Sequence, residues 1–486
     1  MTTDTIFPIC SISKQMLCFV ILTLARADDS FLAKLLAEVK KLLPSSLAHD
    51  DLTPELLAHN QSGIRDYWVL TVLWGAQPNG LFTLEEDGAQ ARKRLGKFHF
   101  QPGTQYSYCN ANFRTLAVAT ENITGESLES LLDKHLFKPA GMKTAKLVPD
   151  TAALPKPLVG YEGRPDTGYF PEGNRLFWAG DAGVVASLED FIAYEKFLDT
   201  AAADKSSIYS EMITPQTFSD GNKAMYRYGL FNMEIAGVDI WGHSGGLPGY
   251  TLQRIHLPSE RLSVVVMRNS MVDVTDQAVG IALKALARPK PEHHSAVEAS
   301  PDWDGVFLDK ETQLAVQVKR VPGEKGKINI AYAGRPDTIA VGDDATQAGN
   351  VSGTSTATIK DEMLTLHMEA SNITLTAKKL AAGDAHKDSV GLAGTYRCEE
   401  VDSVMHLTGG DGFLYGAFDG YLGKGPAHLV RHLGQDVWAL ECVRSLDVPA
   451  PGDWTLVVER DGEGGKVAAI TVGAWGARKM RYERQK

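Results

Sequence analysis

A polar, proline-bearing segment, Arg288-Pro-Lys-Pro-Glu-His-His-Ser295, divides this chain of 486 residues into two parts with different patterns. Before it, helical stretches alternate with short β-rich ones; after it, short β segments follow one another, separated by Gly, Asp and Asn. Proline cannot continue a helix or donate to a sheet, so this segment marks a boundary. We therefore expect a mixed α and β domain over residues 1–288, a linker over 289–295, and small antiparallel β-barrels in the remainder.

Within the first part, hydrophobic periodicity predicts individual elements. Apolar residues recur at helical spacing over residues 31–43, 127–136 and 276–287. Alternating, β-branched stretches at 238–241, 251–257 and 262–267 predict a run of three antiparallel strands. The expected class is therefore α+β, with helices packed on a sheet.

Composition excludes several functions. An apolar content of 44% and a charged content of 22% are those of an ordinary globular protein. The net charge of −11 argues against nucleic-acid or anionic-membrane partners, which require a basic surface. No stretch of 18 or more residues is uniformly apolar, so we expect no membrane-spanning helix.

The cysteines and histidines predict neither a disulfide framework nor a metal site. Five scattered cysteines without Cys-x-x-Cys spacing are typical of free thiols in a reducing compartment, which favours a cytoplasmic location. His293-His294 lies in the linker, with no further ligand at suitable spacing, and we interpret it as solvated. We expect no metal and no cofactor.

An apolar stretch near the amino terminus has two interpretations. Residues 16–24 follow Lys14 and precede Ala25-Arg-Ala27, which mimics a signal peptide and its cleavage site. The alternative is a buried helix that carries residues 11–14 into the core. We predict the buried helix.

Three short motifs, in this order, point to a serine hydrolase. Ser11-Ile-Ser-Lys14 at the start of a helix places a hydroxyl and an amine on the same face. Tyr108-Cys-Asn110 and His243-Ser-Gly-Gly246 follow. Each motif alone has an ordinary structural explanation, as a helix cap, a core aromatic or a turn. Together they resemble the penicillin-recognising serine hydrolases, the superfamily of β-lactamases and penicillin-binding proteins.

Longer blocks narrow the resemblance to the D-aminopeptidase branch of that superfamily. They run from the amino terminus to the tail and include Pro8–Gln15, Asn60-Gln-Ser-Gly63, Gly180-Asp-Ala-Gly183, Tyr415-Gly-Ala-Phe418 and Pro451-Gly-Asp-Trp454. The resemblance implies a β-lactamase-like domain, an α/β sandwich, followed by two barrels, which we divide into 296–385 and 386–486. It also implies a homodimer.

The catalytic roles follow from chemistry and from the resemblance. Ser11 is the expected nucleophile, at a helix amino end whose dipole favours developing negative charge. Lys14 is the expected base, effective only as a neutral, desolvated amine, and Tyr108 shares that role. Asn110 is expected to hold the substrate amide or to bridge to Lys14. His243 stands where many relatives of the superfamily have lysine.

The expected oxyanion hole consists of the backbone N–H groups of Ser11 and Gly246. Gly245 suits a close approach of the substrate backbone, because a β-carbon would clash there. Specificity is expected from the segment Arg444–Trp454: the resemblance implies that Asp447 binds the free amine of a D-amino acid, and a buried ammonium does need a paired carboxylate.

One departure from the family pattern concerns the amino terminus. Family members carry a helix and two strands before Ser-x-x-Lys, whereas Ser11 lies almost at the start of this sequence. We expect an amino-terminally truncated domain, with an unpaired strand edge and an exposed apolar face beside the nucleophile helix.

The expected function is release of an N-terminal D-amino acid, such as D-alanine, from small peptides or amides through an acyl-enzyme on Ser11. Two alternatives stay open. One is a D-stereospecific amidase or carboxylesterase on the same fold. The other is a catalytically inactive, truncated homologue that acts as a binding protein.

Overall fold

The computed structural model describes residues 1–292, 295, 297–448, 451–462 and 465–486; His293 and His294 of the predicted linker lie outside this range. The α-helices are α1 (Ser13–Ala27), α2 (Phe31–Leu42), α3 (Pro54–Ala58), α4 (Tyr67–Leu73), α5 (Asp87–Lys93), α6 (Asn110–Thr124), α7 (Leu128–Leu132), α8 (Lys138–Ala140), α9 (Leu188–Ala203), α10 (Ile208–Met212), α11 (Thr275–Ala285) and α12 (Ala385–Asp388).

The strands of the first 291 residues are β1 (Ile6–Pro8), β2 (Lys146–Leu147), β3 (Tyr161–Arg164), β4 (Gly168–Pro171), β5 (Val184–Ser187), β6 (Gln216–Thr217), β7 (Lys223–Ala224), β8 (Tyr226–Arg227), β9 (Leu230–Ile235), β10 (Val238–Leu247), β11 (Tyr250–Leu257) and β12 (Leu262–Arg268).

The later strands are β13 (Gly305–Asp309), β14 (Ala315–Arg320), β15 (Lys327–Tyr332), β16 (Arg335–Val341), β17 (Gln347–Gly349), β18 (Ser355–Lys360), β19 (Met363–Met368), β20 (Ile373–Lys379), β21 (Gly394–Cys398), β22 (Ser403–Gly410), β23 (Phe413–Gly420), β24 (Gly423–Lys424), β25 (His428–Gly434), β26 (Val437–Cys442), β27 (Gly452–Arg460), β28 (Val467–Ala474) and β29 (Ala477–Arg484).

The chain forms two compact units. The first comprises Met1–Ile64, Asn79–Lys93 and Phe100–Pro291; the second comprises Arg65–Pro78, Arg94–His99 and Glu292–Lys486. The last boundary falls inside the predicted linker. The division differs from the continuous domain predicted over residues 1–288, because two short segments of that range pack with the barrels instead.

The first unit is an α/β sandwich built on an antiparallel sheet in the order β12-β11-β10-β9-β8. Alternate residues of β11 face opposite sides, as the two-residue period of a strand requires. Ile255 and Leu257 join a hydrophobic cluster with α11, whereas Arg254 on the other face pairs with Glu195 of α9. Helices therefore cover both faces, and the predicted three-strand run is confirmed as β10, β11 and β12.

The predicted helices are also present, with one difference. Residues 31–43 and 276–287 are confirmed as α2 and α11. The stretch 127–136 is not one regular helix: it begins as α7, capped by Ser127, and continues as a π-helical turn over Asp133–Phe137. The wider turn brings Leu136 and Phe137 into the core.

The apolar stretch near the amino terminus is α1, and all ten residues from Ser13 to Leu22 are buried. By length and composition alone, Cys10–Ala27 could cross a membrane, but 67% of that window is buried inside the protein. The structure thus contains the buried helix that we predicted. The expected exposed apolar face beside this helix is absent from those ten residues, because neighbouring elements of the same unit pack around it.

Strand β12 is an edge of the sheet: within the described residues it pairs only with β11. The edge is partly shielded, since only Arg268 of its seven residues is exposed.

The second unit contains two antiparallel barrels, which confirms that part of the predicted fold. Strands β13 to β20 form one closed barrel. Strands β21 to β29 form a sheet that closes through pairing of β22 with β23. Both barrels lie within the predicted limits of 296–385 and 386–486.

The segment Arg65–Pro78, which includes α4, is held by the second barrel of its unit. Two guanidinium nitrogens of Arg65 donate to the carbonyl oxygen of Arg478, at 3.2 and 3.0 Å, and a third pairs with Glu400 at 2.5 Å. The Trp74 indole N–H donates to the carbonyl oxygen of Val401 at 2.8 Å. These contacts explain why the segment leaves the first unit.

Candidate active site

Ser11 lies in a 3₁₀ turn, Cys10–Ile12, immediately before α1. Two hydrogen bonds fasten this turn to β5: the Ile9 N–H donates to the Val184 carbonyl at 2.9 Å, and the Val184 N–H donates to Ser13 Oγ at 3.2 Å. Cys10 adopts the left-handed backbone conformation, with φ of 53°. Such a conformation is unfavourable for a side chain other than Gly, Asn or Asp, so the sharp bend that presents Ser11 is imposed by its surroundings.

Lys14 is completely buried and lies against the Ser11 hydroxyl. Its Nζ is 2.9 Å from Ser11 Oγ, 2.8 Å from Asn110 Oδ1 and 2.6 Å from the carbonyl oxygen of Asp181. The amine also lies 4.9 Å from the centre of the Tyr108 ring. The structure therefore brings together the hydroxyl and the amine that the sequence predicted, and adds a backbone carbonyl as a third oxygen partner.

Tyr108 and Asn110 reach this point because α6 begins at Asn110, directly after Tyr108. Asn110 is 7% exposed, and its side-chain oxygen points at Lys14. Of the two expectations for Asn110, the bridge to Lys14 is the one seen here. The Tyr108 ring lies 5.8 Å from the His243 ring, centre to centre.

His243 is buried, and both ring nitrogens have partners. Nδ1 lies 2.5 Å from the Ser244 carbonyl oxygen, which can only accept, so Nδ1 carries the proton. Nε2 then accepts from the Tyr226 hydroxyl at 3.1 Å. Burial, and secondarily the nearby charge of Lys14, lowers the pKa of His243 to about 3. His243 is therefore a neutral imidazole at neutral pH, unlike the lysine expected at this place in many relatives.

Gly245 packs on the nucleophile turn. A β-carbon at position 245 would lie 2.6 Å from the Ile9 carbonyl oxygen and 3.2 Å from the Cys10 β-carbon. Close packing within the protein thus already requires glycine here, a reason that the sequence did not reveal. The expected contact of Gly245 with substrate stays a prediction.

Gly246 lies on a part of β10 that, among the described strands, pairs on one side alone. Strand β9 pairs with β10 only as far as Gly242, whereas β11 pairs with it up to Leu247. Leu247 and Tyr250 flank a two-residue turn and form a hydrogen-bonding pair, so the alternation of an antiparallel ladder directs the Gly246 N–H away from β11. This geometry suits the oxyanion-hole donor that we predicted.

Sequence reasoning missed two groups at this site. Tyr226 lies in the short strand β8 and is distinguished only by its position in the fold. Burial raises the pKa of Tyr226 well above its usual value, so it remains a hydroxyl donor to His243. The Asp181 carbonyl lies in the block Gly180-Asp-Ala-Gly183, which carried part of the resemblance, but a main-chain acceptor leaves no side-chain signal.

Asp447 belongs to the second unit and is 6% exposed. Ser445 Oγ donates to its carbonyl oxygen at 2.6 Å. Pro449 and Ala450 of the same segment lie outside the described residues. The role of Asp447 in binding an amine stays a prediction.

No group of three His, Cys, Asp or Glu side chains in the described part of the chain is arranged to hold a metal ion. All five cysteines are buried.

Comparison with known proteins matches the two parts of the chain to two family models. Residues 1–288 match the β-lactamase family, and residues 296–483 match domain B of D-aminopeptidase. The D-aminopeptidases of Brucella canis and Brucella anthropi are each 40% identical over 486 residues, which is 100% of this chain and 90% of theirs. Among solved structures, the octameric penicillin-binding protein homologue of Pyrococcus abyssi is 21% identical with a TM-score of 0.49, over 78% of this chain and 89% of that one.

These matches confirm the resemblance drawn from the motifs. With a family model over more than half of its length and relatives at 40% identity along all of it, the chain belongs to the D-aminopeptidase family of β-lactamase-like hydrolases.

Proposed function

We propose that this protein is a serine D-aminopeptidase that releases N-terminal D-amino acids, such as D-alanine, from small peptides or amides through an acyl-enzyme on Ser11. The observation that carries the proposal is the contact of the Ser11 hydroxyl with a completely buried lysine, 2.9 Å away. The names of the 40% identical relatives supply the substrate class.

The surroundings of Lys14 suit a base. A neutral amine has two N–H donors and one lone pair. Asn110 Oδ1 and the Asp181 carbonyl oxygen lie 2.8 and 2.6 Å from Nζ and can accept its N–H groups, and Ser11 Oγ lies 2.9 Å from the same nitrogen. In the proposed reaction, the neutral form of this amine is the one that accepts the Ser11 proton.

In the proposed reaction, Ser11 Oγ attacks the substrate carbonyl carbon while its proton passes to Lys14. The backbone N–H groups of Ser11 and Gly246 stabilise the negative charge on the carbonyl oxygen. The C–N bond then breaks as the leaving amine takes a proton from Lys14, directly or through Tyr108, and the D-aminoacyl ester remains on Ser11. Water hydrolyses this ester with the same groups acting as base and acid, which restores the serine.

Asp447 is the proposed partner of the substrate ammonium. A peptidase that requires a free amino terminus needs an anion for it, and a buried carboxylate suits this task. The backbone of its segment is anchored through Arg444, which donates to the Pro78 carbonyl oxygen at 3.3 Å.

The proposal is tested with D-alanine and L-alanine p-nitroanilides, with the Ser11→Ala variant as control. We expect turnover of the D form alone, and none by the variant. Turnover that persists in Ser11→Ala, or equal rates on both enantiomers, would overturn the proposal.

Asp447 is tested separately with Asp447→Asn on D-alanine p-nitroanilide and on its N-acetylated derivative, which lacks the ammonium. We expect KM for the free amine to rise about tenfold or more, with no change for the acetylated compound. An equal effect on both substrates would exclude ammonium binding by Asp447.

A further inference from the structure

The two-residue turn that joins β10 to β11 is of a type that hairpins rarely use. Its residues are Pro248 and Gly249, because Leu247 pairs with Tyr250 across the ladder. The turn types that match the twist of a hairpin, I′ and II′, need a positive φ at the first of the two positions, which proline cannot adopt. With Gly249 at φ of +91°, the turn is of type II, which splays the flanking strands. This turn therefore needs support from outside the hairpin.

Asn174 and Met271 supply that support at the centre of the turn. The peptide group between Pro248 and Gly249 distinguishes the turn types, since a type I turn has this peptide turned over relative to type II. Asn174 Nδ2 donates to the Pro248 carbonyl oxygen at 2.7 Å, and the Gly249 N–H donates to Met271 Sδ at 3.0 Å. Both ends of one peptide group are thus held by side chains from two other segments of the first unit.

The stability of the fold does not explain an asparagine at position 174. The side chain is 7% exposed, and its Oδ1 is buried without a hydrogen bond to any described residue. The Pro248 carbonyl oxygen can only accept, so Nδ2 faces it and Oδ1 takes the unsatisfied side. A buried acceptor without a partner destabilises a folded protein, and an apolar side chain would avoid that cost.

The turn that Asn174 holds follows directly on the strand with the expected oxyanion donor. Gly246 lies two residues before Pro248, and beyond Gly242 the described partner of β10 is β11 alone. The direction of the Gly246 N–H therefore depends on the ladder with β11 and on the turn that closes this ladder. A change from type II to type I would alter the twist of β10 at Gly246 and redirect its N–H.

We propose that Asn174 is a positioning residue for the oxyanion hole: its hydrogen bond to the Pro248 carbonyl oxygen holds the type II turn, and the turn directs the Gly246 N–H towards the substrate carbonyl oxygen. The inference rests on the proposed function for its kinetic consequences only. The link from Asn174 to Gly246 is a property of the folded protein and is measurable without turnover.

Asn174→Leu is the decisive variant. Leucine has the branched shape of asparagine, removes the donor to Pro248 and also removes the unpaired Oδ1. Met271→Leu releases the other end of the same peptide, with a smaller effect because sulfur is a weak acceptor. Thr151→Val is the matched control: Thr151 is also buried, and its hydroxyl donates to a main-chain carbonyl oxygen, that of Leu176, at 2.8 Å.

The first measurement is NMR of the Gly246 amide. Labelling glycine with ¹⁵N and with ¹³C at its carbonyl gives an HNCO signal only where one glycine follows another, that is, at Gly246, Gly410 and Gly465. Loss of the other two signals in Gly410→Ala and Gly465→Ala assigns that of Gly246. We expect this signal to shift in Asn174→Leu, to shift less in Met271→Leu and to stay in place in Thr151→Val. An unchanged Gly246 signal in Asn174→Leu would overturn the proposal.

The second measurement is kinetic, on D-alanine p-nitroanilide. We expect Asn174→Leu to lower kcat about tenfold or more with KM within about twofold, because an oxyanion hole acts on the transition state more than on bound substrate. Thr151→Val should keep the kcat of the intact protein. A loss of thermal stability in Asn174→Leu with unaltered kcat would mean that Asn174 is only structural. If the intact protein has no Ser11-dependent turnover, the proposed function fails, and the NMR result still decides the link from Asn174 to Gly246.

Discussion

Gly229 lies directly against the main chain of Lys14. A β-carbon at position 229 would come within 2.7 Å of the Lys14 carbonyl carbon and within 2.5 Å of the Gln15 nitrogen. Gly229 also has φ of +76°, which side chains other than Gly rarely adopt. The amino-terminal helix and the sheet thus meet backbone to backbone at the residue proposed as the base.

This contact predicts the effect of Gly229→Ala. The substitution adds backbone strain and forces α1 away from the sheet, so we expect the free energy of unfolding to fall by about 2–4 kcal/mol. Gly221→Ala is the control, since Gly221 has φ of +89° but nothing within 4 Å of the added carbon, and should cost about 1 kcal/mol. Urea denaturation measures both; equal losses would mean that the close approach does not matter.

The buried ion pair of Arg254 and Glu195 predicts that Arg254→Met destabilises the protein. Arg254 is fully buried, and its guanidinium meets the carboxylate at 2.5 and 2.8 Å, with a further 3.4 Å contact to Gln15 of α1. Arg254→Met leaves the carboxylate buried without its partner, which we expect to destabilise the protein by about 3–5 kcal/mol. Arg254→Met combined with Glu195→Leu should recover most of the loss. A double variant as unstable as the single one would contradict this explanation.

Three buried histidines predict sensitivity to acid. Burial lowers the pKa of His59 and of His243 to about 3 and that of His256 to about 4. Between these values and the usual value of about 6.5, the unfolded chain binds protons that the folded protein does not, so stability falls as the pH falls. Each histidine adds about 1.4 kcal/mol per pH unit to the slope of the free energy of unfolding against pH, once it is charged in the unfolded state.

Urea denaturation at pH 7, 6, 5 and 4.5 measures this slope. Removing the contribution of His256, by His256→Gln, should reduce this slope by about 1.4 kcal/mol per pH unit, by the same linkage. His49→Gln, at a side chain that is 62% exposed, should leave the slope unchanged. A pH-independent stability between 7 and 4.5 would exclude the effect.

A substitution of Asn110 is expected to lower catalysis without lowering stability. Asn110→Asp preserves shape but places a carboxylate where Oδ1 now lies, 2.8 Å from Lys14 Nζ. A negative charge there stabilises protonated Lys14, which can no longer accept the Ser11 proton. We expect kcat to fall about a hundredfold or more, within the usual effect of general base catalysis, with no loss of thermal stability. Asn122→Asp, at an exposed position on the same helix, is the control, and retained kcat in Asn110→Asp would exclude Lys14 as the base.

The sequence predicted those parts of the site that depend on local geometry or on a recognisable motif. Ser11 and Lys14 meet because one helical turn brings them together, and Tyr108 and Asn110 adjoin the start of α6. Strands β10 to β12 were predictable because alternation of side chains is a local pattern.

Groups that depend on long-range packing could not be predicted. Tyr226 reads as an ordinary apolar strand residue, and its role emerges only when β10 places His243 beside it. The Asp181 carbonyl carries no side-chain information. The need for glycine at 245 arises from Ile9, more than 200 positions earlier in the chain. The membership of Arg65–Pro78 in the second unit depends on partners such as Arg478, which no periodicity near Arg65 reveals.

That last feature constrains the order in which the protein can be completed on the ribosome. Residues 65–78 are synthesised more than 300 residues before the strand that contains Arg478, so this piece of the second unit must wait without its partners while the intervening chain is made. Neither family-model segment, 1–288 or 296–483, contains all of the unit to which it corresponds. A gene divided at the linker would place α4 and the barrel to which its segment is hydrogen-bonded in two different products.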